Sequence, residues 1–345
     1  MSLPDWLGAV ARVAVPVLLA LAAGGAILIA LGKDPIAYYG FVFERGLLSW
    51  AGLQESITRS GPLLLIAAGL IVAFRAGIWN LGVDGQFLLA AVLSAALGPA
   101  LIAVLPGWLT LLACFAVAFL AGAAWSLAPA LLKARYGINE IVTTLMMSFL
   151  GLSFANVLIK IVFNDPETTV PQTRTLPVED RLARLFDTTI HSGVLIALAA
   201  VLIVHVVMTR TAFGLRLQIV GANPRAAVHA GLDVSRLTIA TFALSAGLAG
   251  LAGAVDVLGV LGTVRADWNP AYGLLVVPLV FLARFNGIAV IGFVLFFAVL
   301  MIGGESASRR MGVPHFYVLV LVGLLLVFLA LVEYLDHRRR RLRAA

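Results

Sequence analysis

The side chains best placed to handle a small polar ligand are those set inside long apolar runs: Trp79, Asn80, Asp84 and Gln86, then Asn139, Glu140, Thr143 and Thr144, and Asn156 further along. In hydrocarbon each polar group is costly unless it is paired or faces water. Asn, Gln and Thr offer donors and acceptors to hydroxyls or to the edge of a base without burying a charge, and an indole stacks on a flat ring. Trp79, Asn80, Gln86, Thr144 and Asn156 are therefore the candidates for a ligand path. Asp84 and Glu140 also fit helix-start capping, because each stands near the beginning of a run. Lys160 and Asp256 fall near the ends of runs, where snorkelling or a local pair accounts for them, and a lone His205 fits a hydrogen bond within a bundle. No His-x-x-x-His, Ser/His/Asp or paired-carboxylate pattern occurs, so no catalytic residue and no metal ligand set is expected. The single cysteine, Cys114, rules out an intrachain disulfide.

The elements that carry these residues follow from composition. The 345 residues are 62% hydrophobic and only 12% charged, about half the charge a water-soluble domain carries. A bilayer core is crossed by about 20 apolar helical residues. That yardstick predicts an all-α, polytopic transmembrane helix bundle of ten segments, at 11–31, 61–78, 80–98, 107–132, 140–163, 190–209, 237–262, 271–285, 286–304 and 314–335. The stretches 61–98 and 271–304 have only short polar breaks and can hold a broken or re-entrant helix. No polar block is large enough to fold separately, so residues 1–345 are expected to form one integral membrane domain. The first run is too long for a signal-peptide core and reads as a retained anchor.

With ten spans and both termini in the cytoplasm, Arg12, Arg75, Lys133, Arg135, Arg210, Arg216, Arg225, Arg236, Arg284 and the arginines of the tail at 336–345 lie inside. Most of the 24 basic residues then share that side with a minority of the 17 acids, as the positive-inside rule requires. The high basicity thus reads as topology on anionic lipid, and nucleic acid is excluded as a partner. The largest external loop, 164–190, has Leu182, Leu185 and Phe186 at helical spacing, which predicts a short amphipathic helix over 179–187. That loop fits a docking surface for an external binding protein and equally a connector resting on headgroups.

The segment 209–236 is expected to face the cytoplasm. Asn223-Pro224 is a helix-start signal, because Asn223 accepts from orphan N–H groups and Pro224 loses nothing at the first position. Arg225, Ala226 and Ala227 continue a short helix that Gly231 ends. Such a helix is either a knob for a socket on another protein or an ordinary connector. Further on, Ala246, Gly250 and Ala254 form one helical ridge and Ala249 and Gly253 an adjacent one, a spacing that lets helix backbones pack closely.

The stretch GLRLQIVGANPRAAVHAGLDVSR at 214–236, followed by SAGLAGLAGA at 245–254, resembles the signature region of bacterial ABC-importer permeases of the branched-chain amino acid, ribose and nucleoside superfamily. AFRAGIWNLGVDGQ at 73–86, KARYGINEIVTTLMMS at 133–148 and GGESASRRMGVP at 303–314 agree in order, so the resemblance covers nearly the whole chain and is greatest to the simple-sugar and nucleoside branch. Trp79 replaces the usual Phe, Asp84 the usual Glu, and Arg284-Phe285-Asn286-Gly287 lacks a Pro, departures that bear on the pocket. The resemblance implies a channel-forming permease in the bacterial inner membrane, paired with a second permease, homologous or identical. It also implies an ATP-binding cassette ATPase that holds ATP and Mg, and an extracytoplasmic binding protein. It places the ATPase contact on Gly221, Asn223, Pro224, Arg225, Ala226, Ala227 and Gly231. No G-x-x-x-x-G-K-[ST] loop occurs, so this chain is not expected to be an enzyme or to hold a cofactor. The competing reading is an ion-coupled secondary transporter, which needs central carboxylates that are few here.

Overall fold

The computed structural model describes residues 5–314 and 316–344, with side chains described for 14–314, 316–332, 334 and 335. Arg12 and the basic tail, used above to orient the chain, lie outside the described side chains. The helices are α1 (Asp5–Ala30), α2 (Pro35–Phe43), α3 (Trp50–Arg75), α4 (Val83–Ile102), α5 (Gly107–Trp125), α6 (Leu127–Tyr136) and α7 (Glu140–Val157), then α8 (Gly193–Arg210), α9 (Ala212–Ala222), α10 (Pro224–His229), α11 (Val234–Asp256), α12 (Tyr272–Leu282), α13 (Gly287–Met311) and α14 (Tyr317–Ala344). Single π-helical turns follow α2, α7 and α11, at Glu44–Leu48, Leu158–Val162 and Val257–Leu261. Among the described residues no strand forms, and the chain is all-helical with two isolated bridges.

Seven helical stretches are long and apolar enough to cross a bilayer: Trp50–Arg75, Val83–Ile102, Gly107–Tyr136, Glu140–Val162, Gly193–Arg210, Val234–Leu261 and Gly287–Met311. Ala14–Ala30, Ala212–Ala222, Tyr272–Leu282 and Tyr317–Val332 are shorter apolar helices. Two helices escaped the sequence reading, α2 and α9, and α3 begins at Trp50, well before the expected 61. The polar residues from Glu55 to Ser60 lie before the expected start, yet they are helical, and Ser56 there donates to the Gly46 carbonyl at 2.8 Å.

The chain divides into two compact units, residues 1–56 with 295–345, and residues 57–294. In the first, α1 lies against α14, and Leu28, Tyr38, Val42, Leu300, Ala307, Tyr317 and Leu321 form the core. Tyr38 meets Tyr317 edge-on at 5.1 Å, and the Tyr39 and Tyr317 hydroxyls share a hydrogen bond of 2.8 Å.

The second unit is built on α4, α5 and α11. The small residues of α11 make that possible: Ala246, Ala249 and Ala254 are buried, and the backbones approach so closely that a Cβ on Gly250 would stand 2.2 Å from the Ala118 carbonyl oxygen of α5. Gly122 of α5 has the same relation to the Ala246 carbonyl, and Gly253 to that of Phe87 on α4. Lipid cannot drive helices together as water does, so this interdigitation is the association energy itself.

The segment 164–190 corrects one expectation. No α-helix forms over 179–187; a single 3-10 turn, Val178–Asp180, leads into a run of bends and a turn. Leu182 is buried while Phe186 is 94% exposed, so the apolar residues at helical spacing do not share a face. Phe186 and Asp187 both take positive φ, 51° and 53°, which ends any helix. The π-turn after α11 explains the outcome, because its lengthened bonding pattern frees carbonyls that the segment then caps. Leu182 N–H donates to Leu258 O at 2.9 Å and Leu176 N–H to Gly262 O at 2.8 Å, while the Arg181 guanidinium donates to Val260 O at 2.8 Å and Leu176 O at 3.0 Å. Thr173 N–H continues the stitching to Val264 O at 3.0 Å. Burial and the neighbouring Arg184 lower the Arg181 pKa.

His191 closes this segment. Its ring is 1% exposed, its Nδ1 accepts the Gly193 N–H at 3.2 Å, and its Nε2 makes no hydrogen bond with the described residues. Burial pushes its pKa from 6.5 down to about 4. The folded chain therefore holds a neutral imidazole where the unfolded chain binds a proton, so stability is present above about pH 6.5 and is lost as pH falls towards 4. Thermal unfolding in detergent between pH 7 and pH 4.5 should show the midpoint falling with pH, and His191→Gln should flatten that slope; an unchanged slope overturns the assignment. Packing makes a second prediction: Gly250→Val should lower stability by about 3 kcal/mol or more, read as a loss of melting temperature or of folded protein. Gly292→Ala, where nothing lies within 4 Å, should leave it intact.

Candidate functional site

Two regions of the second unit gather the residues singled out from sequence. The first is the interruption between α3 and α4, residues 76–82, where the backbone loses its helical bonds and side chains must replace them. Asn80, fully buried, does most of this. Its Nδ2 donates to Gln86 Oε1 at 3.0 Å and to Ser245 Oγ at 3.1 Å, and its Oδ1 accepts from Gln86 Nε2 and from the Gly82 N–H, both at 3.1 Å. Two donors and two acceptor positions are the whole capacity of a carboxamide. Thr144 Oγ1 accepts the Leu81 N–H at 3.2 Å and donates to Glu140 O at 2.6 Å, and Ser148 Oγ accepts the Gly85 N–H at 3.2 Å. Asn80, Gln86 and Thr144 are thus brought together, as a clamp that holds the interruption in shape.

Trp79 stands beside them, 38% exposed, with its ring 5.1 Å from Phe74 and 5.5 Å from Phe281. Asn156 lies apart from this group; its Oδ1 accepts the Asp267 N–H at 2.6 Å, while Lys160 pairs with the Asp267 carboxylate at 3.3 Å. Asp84 does not cap its own helix: its Oδ1 accepts the Gly273 N–H of α12 at 2.7 Å. At α7 the cap is Asn139, which accepts the Ile141 N–H at 2.9 Å, and Glu140 pairs with Lys133 at 2.7 Å. His205 packs its Cβ against the position of Gly287, and its Nδ1 makes no hydrogen bond with the described residues.

The second region is 209–236, a chain of three capped helices. Thr211 caps α9 by accepting the Gly214 N–H at 3.3 Å. Asn223 caps α10, its Oδ1 accepting the Arg225 and Ala226 N–H groups at 3.1 Å each. Gly231, at φ 79°, turns the chain left-handed so that the Leu232 N–H reaches Ala227 O at 3.0 Å. Asp233 then caps α11 through the Arg236 N–H at 3.0 Å. Asn223, Pro224, Arg225, Ala226 and Gly231 are exposed. Ala227 is buried, and Gly221 packs against backbone: a Cβ there would stand 2.5 Å from Arg75 O and 2.9 Å from Gly77 N.

Sequence reasoning missed two participants. Val228, 60% exposed, shares the open face of α10, and its place three residues after Arg225 was the available signal. Arg75 ties the end of α3 to the turn between α12 and α13, its Nε and Nη2 donating to Phe285 O at 3.2 and 3.1 Å. Arg284 and Phe285 hold that turn at positive φ, 50° and 58°, and Asn286 caps α13 through the Ile288 N–H at 2.9 Å. Among the described residues no group of three or more His, Cys, Asp or Glu side chains gathers to hold a metal.

A bundle of apolar helices with an interrupted, hydrogen-bonded interior and a capped, exposed knob fits a membrane transport protein better than an enzyme. Over residues 52–330 the chain matches the family described as branched-chain amino acid transport system / permease component, and it belongs to that family. It is similar to the glucose ABC transporter permease protein of Haloferax volcanii, 34% identical across 98% of this chain and 91% of that one. The nucleoside ABC transporter permease protein NupB of Lactococcus lactis subsp. cremoris is 26% identical over 89% of this chain and 86% of its own length. The guanosine ABC transporter permease protein NupP of Bacillus subtilis is also 26% identical, over 92% and 91%. The chain is therefore an ABC transporter permease and a multi-pass membrane protein.

The Asn80 clamp predicts that Asn80→Ala, which strips four hydrogen bonds and leaves Gln86, Ser245 and the Gly82 N–H without that partner, costs about 3 kcal/mol or more. Thermal unfolding in detergent measures it, and an unchanged midpoint would remove the clamp as a structural element.

Proposed function

We propose that this chain is the channel-forming subunit of an ATP-driven importer that moves a small neutral polar solute, a sugar or a nucleoside, into the cytoplasm. The carrying observation is α10: six residues, Pro224–His229, capped at both ends, exposed on one side and held against α9, whose Gly221 packs on the end of α3. A helix so short has no stability of its own. Its caps and its seat make it a rigid knob, the shape that transmits a push from another protein. The names of the relatives supply the solute class, since they are permeases for glucose, nucleosides and guanosine.

In this reading the ATPase is a separate subunit that binds ATP and Mg and docks on Asn223, Pro224, Arg225, Ala226 and Val228. Gly221, Ala227 and Gly231 shape the knob from behind. A second permease, homologous or identical, completes the pore, and an extracytoplasmic binding protein delivers the solute. The shorter apolar helices Ala14–Ala30, Tyr272–Leu282 and Tyr317–Val332 join the seven long ones, giving ten membrane-embedded segments with both termini in the cytoplasm of a bacterial inner membrane. Trp79 and Asn156 border the path.

Arg225→Glu reverses a charge on the open face of α10 without touching its caps. It should abolish co-purification of the ATPase and ATP-dependent uptake while the chain still inserts at the normal level. Normal co-purification with the variant would sink the placement of the contact, and uptake that survives ATP depletion but collapses with the ion gradient would sink the importer.

A further inference from the structure

The interruption before α4 has a counterpart that the clamp does not use. Trp79-Asn80 stands four residues before Val83, the first residue of α4, and Trp268-Asn269 stands four residues before Tyr272, the first residue of α12. In both, the Asn Oδ1 accepts the N–H two residues on: Gly82 at 3.1 Å and Ala271 at 2.9 Å. In both, the indole packs on the other helix: Trp79 on Phe281 of α12 at 5.5 Å, Trp268 on Phe87 of α4 at 5.8 Å. The two helix starts are joined directly, Gly273 N–H to Asp84 Oδ1 at 2.7 Å. A pair of reciprocal broken segments meeting start to start is where membrane transporters place a solute, because only there is irregular backbone tolerated at depth.

A second observation marks the same place. Asp256 of α11 is 5% exposed, and its Oδ2 makes no hydrogen bond with the described residues. It lies against the Arg59 guanidinium and the Tyr272 phenol, and Arg59 donates to that phenol. A carboxylate oxygen left open inside an apolar bundle is costly unless something passing through uses it. The local charge sets the class of ligand. Asp84 and Asp256 stand against one guanidinium and two helix N-termini worth about half a positive charge each, which brings the site close to neutral. A charged solute would be left uncompensated, whereas a polyhydroxylated neutral ring finds acceptors in the carboxylates and an aromatic face in Trp268, which is partly exposed.

We propose that the paired Trp-Asn breaks at 79–83 and 268–272, with Asp84, Asp256 and Trp268 as the contact groups, form the transmembrane site that binds a neutral polyhydroxylated ring. This rests on the importer reading for its solute. Arg59 and Tyr272 act as positioning residues, holding Asp256.

The test is uptake of labelled glucose and guanosine by native membranes carrying the whole transporter with Trp268→Leu or Asp256→Asn. Each variant should raise KM for the transported solute by about tenfold or more, with ATPase co-purification and membrane level unchanged. Trp108→Leu, an exposed indole outside both breaks, should change nothing. Trp268→Phe, which keeps an aromatic face and serves if a harsher variant fails to fold, should stay within about twofold of the parent. Unchanged KM and unchanged preference between glucose and guanosine in both Trp268→Leu and Asp256→Asn overturn the site. If the parent itself takes up neither solute with ATP, the importer reading fails, and thiol labelling then decides the site alone. In a Cys114→Ala background Trp268→Cys should react with a small water-soluble methanethiosulfonate and Phe149→Cys, on an exposed apolar face, should not; an inert Trp268→Cys overturns the proposal.

Discussion

Hydrocarbon offers no hydrogen bonds, so every backbone group freed where a membrane helix stops must find its partner within the protein. That constraint organises the second unit. At 76–82 the freed groups go to side chains: Asn80 takes the Gly82 N–H, Thr144 takes Leu81 and Ser148 takes Gly85. At the start of α12 the Gly273 N–H goes to Asp84 on a different helix. After α11 the relation is reversed, and the segment 164–190 supplies N–H and guanidinium donors to carbonyls that the π-turn frees. Where water is available the chain needs no such distant help: α9, α10 and α11 are each capped by the residue just before them, Thr211, Asn223 and Asp233.

Polar clamps of this kind work only if their two halves are held in register, and the small residues of α11 provide that. Gly250 and Gly253 let α5 and α4 approach until backbone touches backbone, with no side chain able to change rotamer between them. The Asn80 carboxamide then meets Ser245 on α11 at 3.1 Å because α11 sits at a fixed distance from α4. Packing and hydrogen bonding are therefore not separate contributions here. Widening the α4 to α11 contact by the radius of one methyl group would break the polar network as well as the van der Waals contact.

Local signals made much of this readable beforehand. The apolar runs found their helices, and the Asn223-Pro224 start and the Gly231 stop were legible because caps lie within a few residues of what they cap. Asn80 and Gln86 stand out as polar groups in an apolar run, but the bond from Asn80 to Ser245 spans 165 residues, so the complete clamp is not legible in local sequence. Asp84 was illegible for the same reason: its position suggested a cap for α4, while its partner on α12 is 189 residues distant. The helix expected over 179–187 failed because apolar spacing measures what a segment can do in isolation. The carbonyls at Leu258, Val260 and Gly262 offered a non-helical chain a better set of bonds.

The seat of α10 determines what kind of motion it can pass on. Gly221, near the end of α9, packs on the α3 end with no room for a side chain between them: a Cβ added to it would stand 2.5 Å from Arg75 O. A push on α10 towards the bundle is therefore delivered to Arg75, Ala76 and Gly77, three residues before Asn80. A pull is different, because contact repulsion transmits no tension. Tension must travel through bonds that hold in extension, and at this end of the bundle the Arg75 guanidinium on Phe285 O, made through two nitrogens, is such a bond. That bond joins the end of α3 to the turn after α12, so the start of the interruption at 76–82 is tied both to Gly221 and to that turn.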